Sequence, residues 1–425
     1  MKVYLDMVGC RLNQAEIEQF ALELRARGQE VVADATQADY VLVNTCCVTA
    51  KASADSRKMI RHFQRETGAE VLATGCWVSA FPEEAEKLAG RDDIFSNLEK
   101  DTIITRLGAP VSSNNQETYE SIKPNLGIRS RTRSFIKVQD GCNNACTYCL
   151  TRLARGKSVS IPAAQVIERI HLAEELGAQE VVLTGVQIGS WGKDLEGQLR
   201  IADLIETILS HTSVPRIRIS SIEPWDVDKR LLACFDNTRL CPHLHLPLQS
   251  GSDAILRAMA RPIDTQRYRD LLQDIRFRQP KVAITTDIIV GFPGETNVIF
   301  EETLQFIDEM DFSGGHVFRF SPMPGTAAAK FSEQVPAASS QERSARVRNL
   351  LQRKTRAHQE RKIGQIEAVL WEQRKENGTQ FYFTGLTPDF FRVSVQSKQD
   401  LTNTITPVNI IGIDKDGVLA GEVNI

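Results

Sequence analysis

From residue 134 to residue 320 the chain repeats a single rhythm, a short Val/Ile-rich run followed by a helical stretch. The strand runs fall at 135–138, 180–184, 216–220, 243–246, 283–290 and 315–320. Helical patterns start near Pro162 and cover 201–209, 228–235, 254–259, 267–278 and 300–309. Strands separated by helices join in parallel, because a parallel pair needs a long crossover. Six such units predict a partial or open relative of the (β/α)₈ barrel, with its chemistry at the carboxyl ends of the strands. Residues 1–110 show a shorter version, with strands at 3–8, 40–44 and 70–74 and helices at 14–27 and 54–66. That pattern predicts a second parallel sheet covered on both faces. After residue 363 the helices stop, and short runs at 366–371, 380–383, 391–395, 404–413 and 418–423 predict a small β-barrel. The expected class is α/β, in three units spanning 1–110, 128–360 and 363–425, with 112–117 as a polar linker.

Three units suit 425 residues at about 150 residues per domain. A net charge of −3 argues against a chain that coats nucleic acid over its whole surface, though it leaves room for a local basic face. The first residues lack the apolar core of a signal peptide, and no apolar run is long enough to span a membrane. Nine cysteines in such a chain predict a reducing, cytoplasmic setting, where clustered thiols bind metal or do chemistry. Cys234 and Cys241 lack matching partners and read as packing residues.

Cys142, Cys146 and Cys149 form a CxxxCxxC loop directly after the first strand of the central stretch. Three thiolates with no nearby fourth suit an iron–sulfur cluster that keeps one iron open to a small molecule. Zinc is the alternative, but it ordinarily takes four ligands, in paired spacings. With Tyr148 before the last cysteine, the loop resembles that of the radical S-adenosylmethionine (SAM) superfamily. The resemblance implies a four-iron cluster on these three catalytic cysteines, with SAM chelating the open iron.

Three more thiols, Cys10, Cys46 and Cys76, each follow a strand of the first sheet. The carboxyl edge of a parallel sheet is where ligands bind, so these thiols read either as a metal or cluster site or as buried apolar side chains. Gly9-Cys10-x-x-Asn13, Asn44-Thr45-Cys46-x-Val48-Thr49 and Gly75-Cys76 resemble the amino-terminal motifs of the methylthiotransferases. In that family such cysteines hold a second four-iron cluster. Cys47 is expected to point away from Cys46, since adjacent residues at a strand end face opposite ways. Trp77, after Cys76, and Arg152, after the CxxxCxxC loop, depart from the family pattern.

Polar and glycine-rich turns end the central strands at Gln187, Glu223, Gln249 and 291–296. Grouped around the cysteine loop they read as a SAM cradle, which the resemblance also implies. Its expected members are Tyr148 near the adenine, Gln187, Glu223, Gln249, Asp287, Gly291, Pro293 and Gly294. His243 and His245 alternate with leucines and read as barrel-strand residues with satisfied imidazoles, not a metal pair.

The stretch 123–137, with Lys123, Arg129, Arg131, Arg133 and Lys137, and the cation-rich helix 342–362 are candidate contacts for an RNA backbone. The last unit resembles the TRAM domain, an RNA-binding barrel, most clearly at 385–393, and Tyr382, Phe390 and Phe391 are candidate stacking surfaces for bases. The three-part order resembles the methylthiotransferase branch that acts on N6-threonylcarbamoyladenosine beside the tRNA anticodon. The implied reaction adds a methylthio group to carbon 2 of that adenine, using two four-iron clusters, SAM and a separate electron donor. The rival readings are the branches acting on isopentenyl-adenosine tRNA or a ribosomal-protein aspartate, and a zinc-stabilised RNA-binding protein without catalysis.

Overall fold

The computed structural model describes residues 1–107, 132–377 and 380–423. The stretch 112–117 and the cations Lys123, Arg129 and Arg131 lie outside the described residues. A five-stranded parallel sheet runs Glu30–Val31, Lys2–Met7, Tyr40–Thr45, Glu70–Gly75, Ile94–Phe95. Its three central strands are those the sequence predicts; the two-residue edge strands are too short to show a period. The first helix is Arg11–Ala26, starting directly after Cys10 rather than at residue 14. Leu12, Ala15, Phe20 and Leu24 give it an apolar buried face, and Asn13 and Glu16 are buried with them.

Two three-stranded parallel sheets follow. One runs Arg216–Ile219, Glu180–Thr184, Arg133–Lys137, and the other His243–His245, Ala283–Val290, Gly314–Arg319. Bridges between Ile217 and Leu240 and between Ser221 and His245 join them into a partial barrel. Strand alternation sorts the side chains. Ile217, Ile219, Ile284 and Ile288 pack in the main apolar core, while Arg216, Arg218, Thr285 and Asp287 take the other face. The helix Arg11–Ala26 lies against that inner face, with Ala15 touching Phe135 and Val182 and Glu18 accepting the Phe135 N–H at 3.2 Å.

The last unit is a closed five-stranded barrel in the order Ile366–Asn377, Gln380–Leu386, Arg392–Ser397, Leu419–Val423, Ile405–Ile413, packed around Trp371, Phe383 and Val408. It closes the floor of the central barrel. Arg216 donates to the carbonyls of Leu386 (3.1 Å) and Ala368 (2.5 Å), and Arg218 to that of Pro388 (2.9 Å). Arg218 also grips Glu180 through two bonds of 2.8 and 3.0 Å, both side chains being fully buried.

Three expectations change. Phe390 is no free stacking surface: His243 stacks on it at 4.8 Å, and the guanidinium carbons of Arg218 and Arg11 lie 4.9 and 5.2 Å from its ring centre. Phe391 is buried in the barrel core, so Tyr382, 37% exposed, is the one of the three that faces outward. The basic stretches are largely paired internally. Arg133 meets Glu372 at 2.5 Å and Lys137 meets Asp140 at 2.5 Å. Along the helix Ala337–Glu360, Arg343 is buried against Glu295 and Arg346 pairs with Glu301. Lys362, just beyond it, binds Glu367 and Asp389. Arg348 and Arg353 have no ion pair among the described residues. Finally, the imidazoles are not both satisfied. His245 reaches Thr285 and Asp287, but His243 Nδ1 is buried without a partner among the described residues.

Burial works against the Glu180 carboxylate, yet Arg218, Arg133 and Arg216 hold its pKa below the usual 4.5. A depressed carboxylate contributes stability that is full above the unfolded pKa and is lost as pH falls through the folded one. Arg218→Met is expected to cost about 3–5 kcal/mol in denaturant unfolding at neutral pH. It should also shift acid unfolding to higher pH, and adding Glu180→Leu should recover part of the loss.

Candidate active site

The carboxyl edge of the first sheet brings Cys10, Cys46 and Cys76 together, because the register pairs Met7 with Asn44 and Thr45 with Gly75. Gly9 permits the approach. It has φ +110°, and a Cβ there would lie 2.6 Å from the Cys46 sulfur. Cys47 packs with Trp77 in an apolar cluster and donates its S–H to the Cys76 carbonyl at 3.3 Å. Trp77 is fully buried, and its Nε1 lacks a partner among the described residues. Burial pushes the Cys46 thiol up to about 12 and raises Cys10 as well, Arg155 partly opposing the latter shift.

Arg155 links this edge to the central barrel. It comes from the short helix Thr151–Arg155, directly after the CxxxCxxC loop. Its Nε lies 3.0 Å from the Cys76 sulfur, and its Nη atoms donate to Glu16 (2.9 Å), Asp140 (3.0 Å) and Asn13 (2.9 Å). Burial disfavours the charge, but Cys76, Glu16 and Asp140 hold the guanidinium well above its ordinary pKa. Glu16 also receives Lys100 and Lys137. Burial opposes that carboxylate too, and Lys100, Arg155 and Lys137 keep its pKa well below the usual value.

The second thiol set lies beside this network. Cys142 donates to Gln187 Oε1 at 3.3 Å and accepts the Asn144 N–H at 3.4 Å. Cys149 accepts the Thr151 N–H at 3.4 Å. Burial pushes Cys142 up to about 11 and also raises Cys146, which the Arg261 charge opposes. Arg261 is clamped by both Glu223 oxygens at 3.0 and 2.8 Å. Tyr148 meets Phe292 edge-on, 6.4 Å between ring centres. In the turn carrying Gly291, Pro293 and Gly294, the Gly291 N–H donates to Glu295 Oε1 at 2.9 Å and the Gly294 N–H to the Glu333 carbonyl at 2.8 Å. Gln249 has φ +73°, an unfavourable backbone for a side chain of its size. Its Oε1 and Asp287 Oδ1 are buried without partners among the described residues. Asp287 lies before the end of its strand, its other oxygen 3.1 Å from His245 Nε2.

These donors fit the expected groups. Each set offers three cysteines, the neighbouring Cys47 having turned its S–H to the Cys76 carbonyl, and N–H groups already aim at two of the CxxxCxxC sulfurs, as in cluster sites. Among the described residues no three His, Cys, Asp or Glu side chains converge on a point for one metal ion, and a multi-iron cluster is broader than that. The orphaned Gln249 and Asp287 oxygens suit the donors of a polar ligand. No described helix is long and apolar enough to cross a membrane.

Comparison with known proteins agrees with this geometry. Residues 136–307 match the Radical SAM superfamily, and residues 2–96 match Uncharacterized protein family UPF0004. The threonylcarbamoyladenosine tRNA methylthiotransferase MtaB of Thermotoga maritima is 36% identical over 87% of this chain and 86% of its own. The MtaB of Chlamydia pneumoniae is 34% identical over 99% and 97%. The tRNA-2-methylthio-N(6)-dimethylallyladenosine synthase of Geobacter metallireducens is 32% identical over 96% and 95%. In fold, the chain resembles the radical SAM methyltransferase TsrM of Kitasatospora setae, with TM-score 0.54 and 15% identity over 77% of this chain and 76% of that one.

Sequence reasoning passed over Glu16, Lys100 and Arg261. One signal was present: Asn13 and Glu16, three apart, interrupt the apolar face of the helix that follows Cys10. Glu16→Gln should cost about 3–5 kcal/mol in urea unfolding, since it strands the buried Lys100 ammonium. Adding Lys100→Met should restore part of that loss, and a double-mutant cycle gives the coupling directly.

Proposed function

The chain belongs to the methylthiotransferase family of radical-SAM enzymes, and on that premise we propose that it adds a methylthio group to carbon 2 of N6-threonylcarbamoyladenosine in tRNA. Membership implies a four-iron cluster and SAM. We propose Cys142, Cys146 and Cys149 as the ligands of that cluster, and Cys10, Cys46 and Cys76 as those of a second one. When bound, the first cluster with SAM supplies the one-electron chemistry that an unactivated aromatic C–H bond requires, and the second supplies the sulfur.

The chain's own residues do the rest. Tyr148, Gln187, Glu223, Gln249, Asp287, Gly291, Pro293 and Gly294 are the proposed SAM contacts. Glu223 fixes Arg261 beside Cys146 through its two-oxygen clamp, which places a permanent positive charge against the anionic cluster. Arg155 does the same at Cys76 and, by holding Asn13, Glu16 and Asp140 together, keeps both thiol sets in one frame. The target base has to leave its stack to reach such an interior, as single-stranded loop bases can. In this reading residues 1–110 carry the sulfur-donating cluster, 128–360 the SAM chemistry and 363–425 an RNA contact through exposed groups such as Tyr382. An electron donor is a further partner, and the setting is the cytoplasm.

The observation that carries the choice of substrate is 36% identity to an enzyme named for threonylcarbamoyladenosine over 86% of that enzyme. The polar inner wall of the barrel, with His243, His245, Thr285 and Asp287, supports it, since a dimethylallyl group would prefer an apolar lodging. The test is mass spectrometry of nucleosides from tRNA treated with reconstituted enzyme, SAM, a reductant and sulfide. The expected product is 2-methylthio-N6-threonylcarbamoyladenosine, absent when Cys10, Cys46 and Cys76 are replaced by alanine. Modification of isopentenyl-adenosine tRNA alone would contradict the proposal.

A further inference from the structure

Arg11 stands apart from the other arginines on the barrel interior. Arg216, Arg218 and Arg261 all donate to carboxylates or carbonyls. Arg11 is half-buried, yet it makes no hydrogen bond or ion pair among the described residues. Its guanidinium carbon lies 5.2 Å from the centre of the Phe390 ring. That contact does not offset withdrawing a guanidinium from water. Its neighbours make the position worse, since the charges of Arg133 and Arg218 repel it.

The space that it faces is built of polar groups short of partners. His243, 2% exposed, stacks on the same Phe390 ring and has an orphaned Nδ1. Asp287 keeps one oxygen unpaired beside His245. His316 lies 6.1 Å from His245, ring to ring, on an edge strand where Phe318 is 40% exposed, so this side of the barrel opens outward. Arg11 also directly follows Cys10. An anion held there would sit beside the proposed sulfur-donating site and inside the barrel that holds the proposed SAM contacts.

We propose that Arg11 binds a carboxylate carried on the substituent of the substrate base and so selects an anionic N6 side chain over a neutral one. The guanidinium offers two parallel N–H donors matched to a carboxylate, which a purine with an isopentenyl group cannot use. This rests on the substrate reading above and names the residue that enforces it.

The test is the affinity of the reconstituted enzyme for three anticodon stem-loop RNAs whose target adenosine is unmodified, isopentenylated or threonylcarbamoylated. Wild-type protein should prefer the threonylcarbamoyl RNA. Arg11→Gln should lose that preference by roughly tenfold or more while holding the other two RNAs as before, and Arg11→Lys should keep part of it. Iron content and melting temperature of both variants check that the fold and cluster sites are intact. An equal loss for all three RNAs would mean a phosphate contact and overturn the proposal, as would no change. A wild-type enzyme that does not favour the threonylcarbamoyl RNA would overturn the substrate reading together with this one, an outcome visible before any variant is made.

Discussion

A buried guanidinium is tolerable only when its charge and its N–H groups are both answered, and Arg155 meets that condition by drawing three parts of the chain together. Asn13 and Glu16 come from the first helix, Cys76 from the edge of the first sheet and Asp140 from the entry to the CxxxCxxC loop. Asn13 and Asp140 lie within three residues of a cysteine, Cys76 is one, and Glu16 follows Cys10 on the same helix. The cost of burying the charge is offset only in the assembled arrangement, so the same interaction that holds the two sheets together sets one thiol set against the other. Glu16 extends the network to Lys100 and Lys137, leaving an alternating array of charges between the two sites.

The remainder of the molecule supports that arrangement from below. The inner face of the central barrel is too polar to collapse on itself. It is filled by the helix Arg11–Ala26 on one side and sealed at its floor by the carboxy-terminal barrel, whose carbonyls receive Arg216 and Arg218. Phe390 reaches back into this floor, between His243, Arg218 and Arg11. The last unit is thus a structural wall of the site as well as a candidate RNA contact. What stays open is the edge strand of His316 and Phe318, both of which are exposed.

The strands and most helices were legible because period-two and period-3.6 patterns record burial directly. The thiol positions were legible because parallel strands deliver their ends to one edge. Pairing was not legible. Lys137, Arg133 and Arg343 look in sequence like members of basic surfaces, yet each is answered by a carboxylate far along the chain, Glu16, Glu372 and Glu295. A run of cations records charge, not its partner. Phe390 misled for a related reason: an aromatic beside an arginine in a barrel loop suits base stacking, but here the ring is taken by groups from two other units. The first helix was expected to start later because Arg11 and Asn13 break its apolar period, Asn13 being buried to receive Arg155.

The most direct test of Arg155 as the common support is iron and sulfide content, with the electron paramagnetic resonance spectrum of the reduced protein, for wild type, Arg155→Lys and Arg155→Met after identical reconstitution. Two four-iron clusters give about eight irons per chain. With the tie to Cys76 removed, Arg155→Met should fall toward about four irons and keep the signal of one cluster, with Arg155→Lys between the two. A full complement of iron and unchanged spectra in Arg155→Met would contradict the account, since both thiol sets would then be held without it.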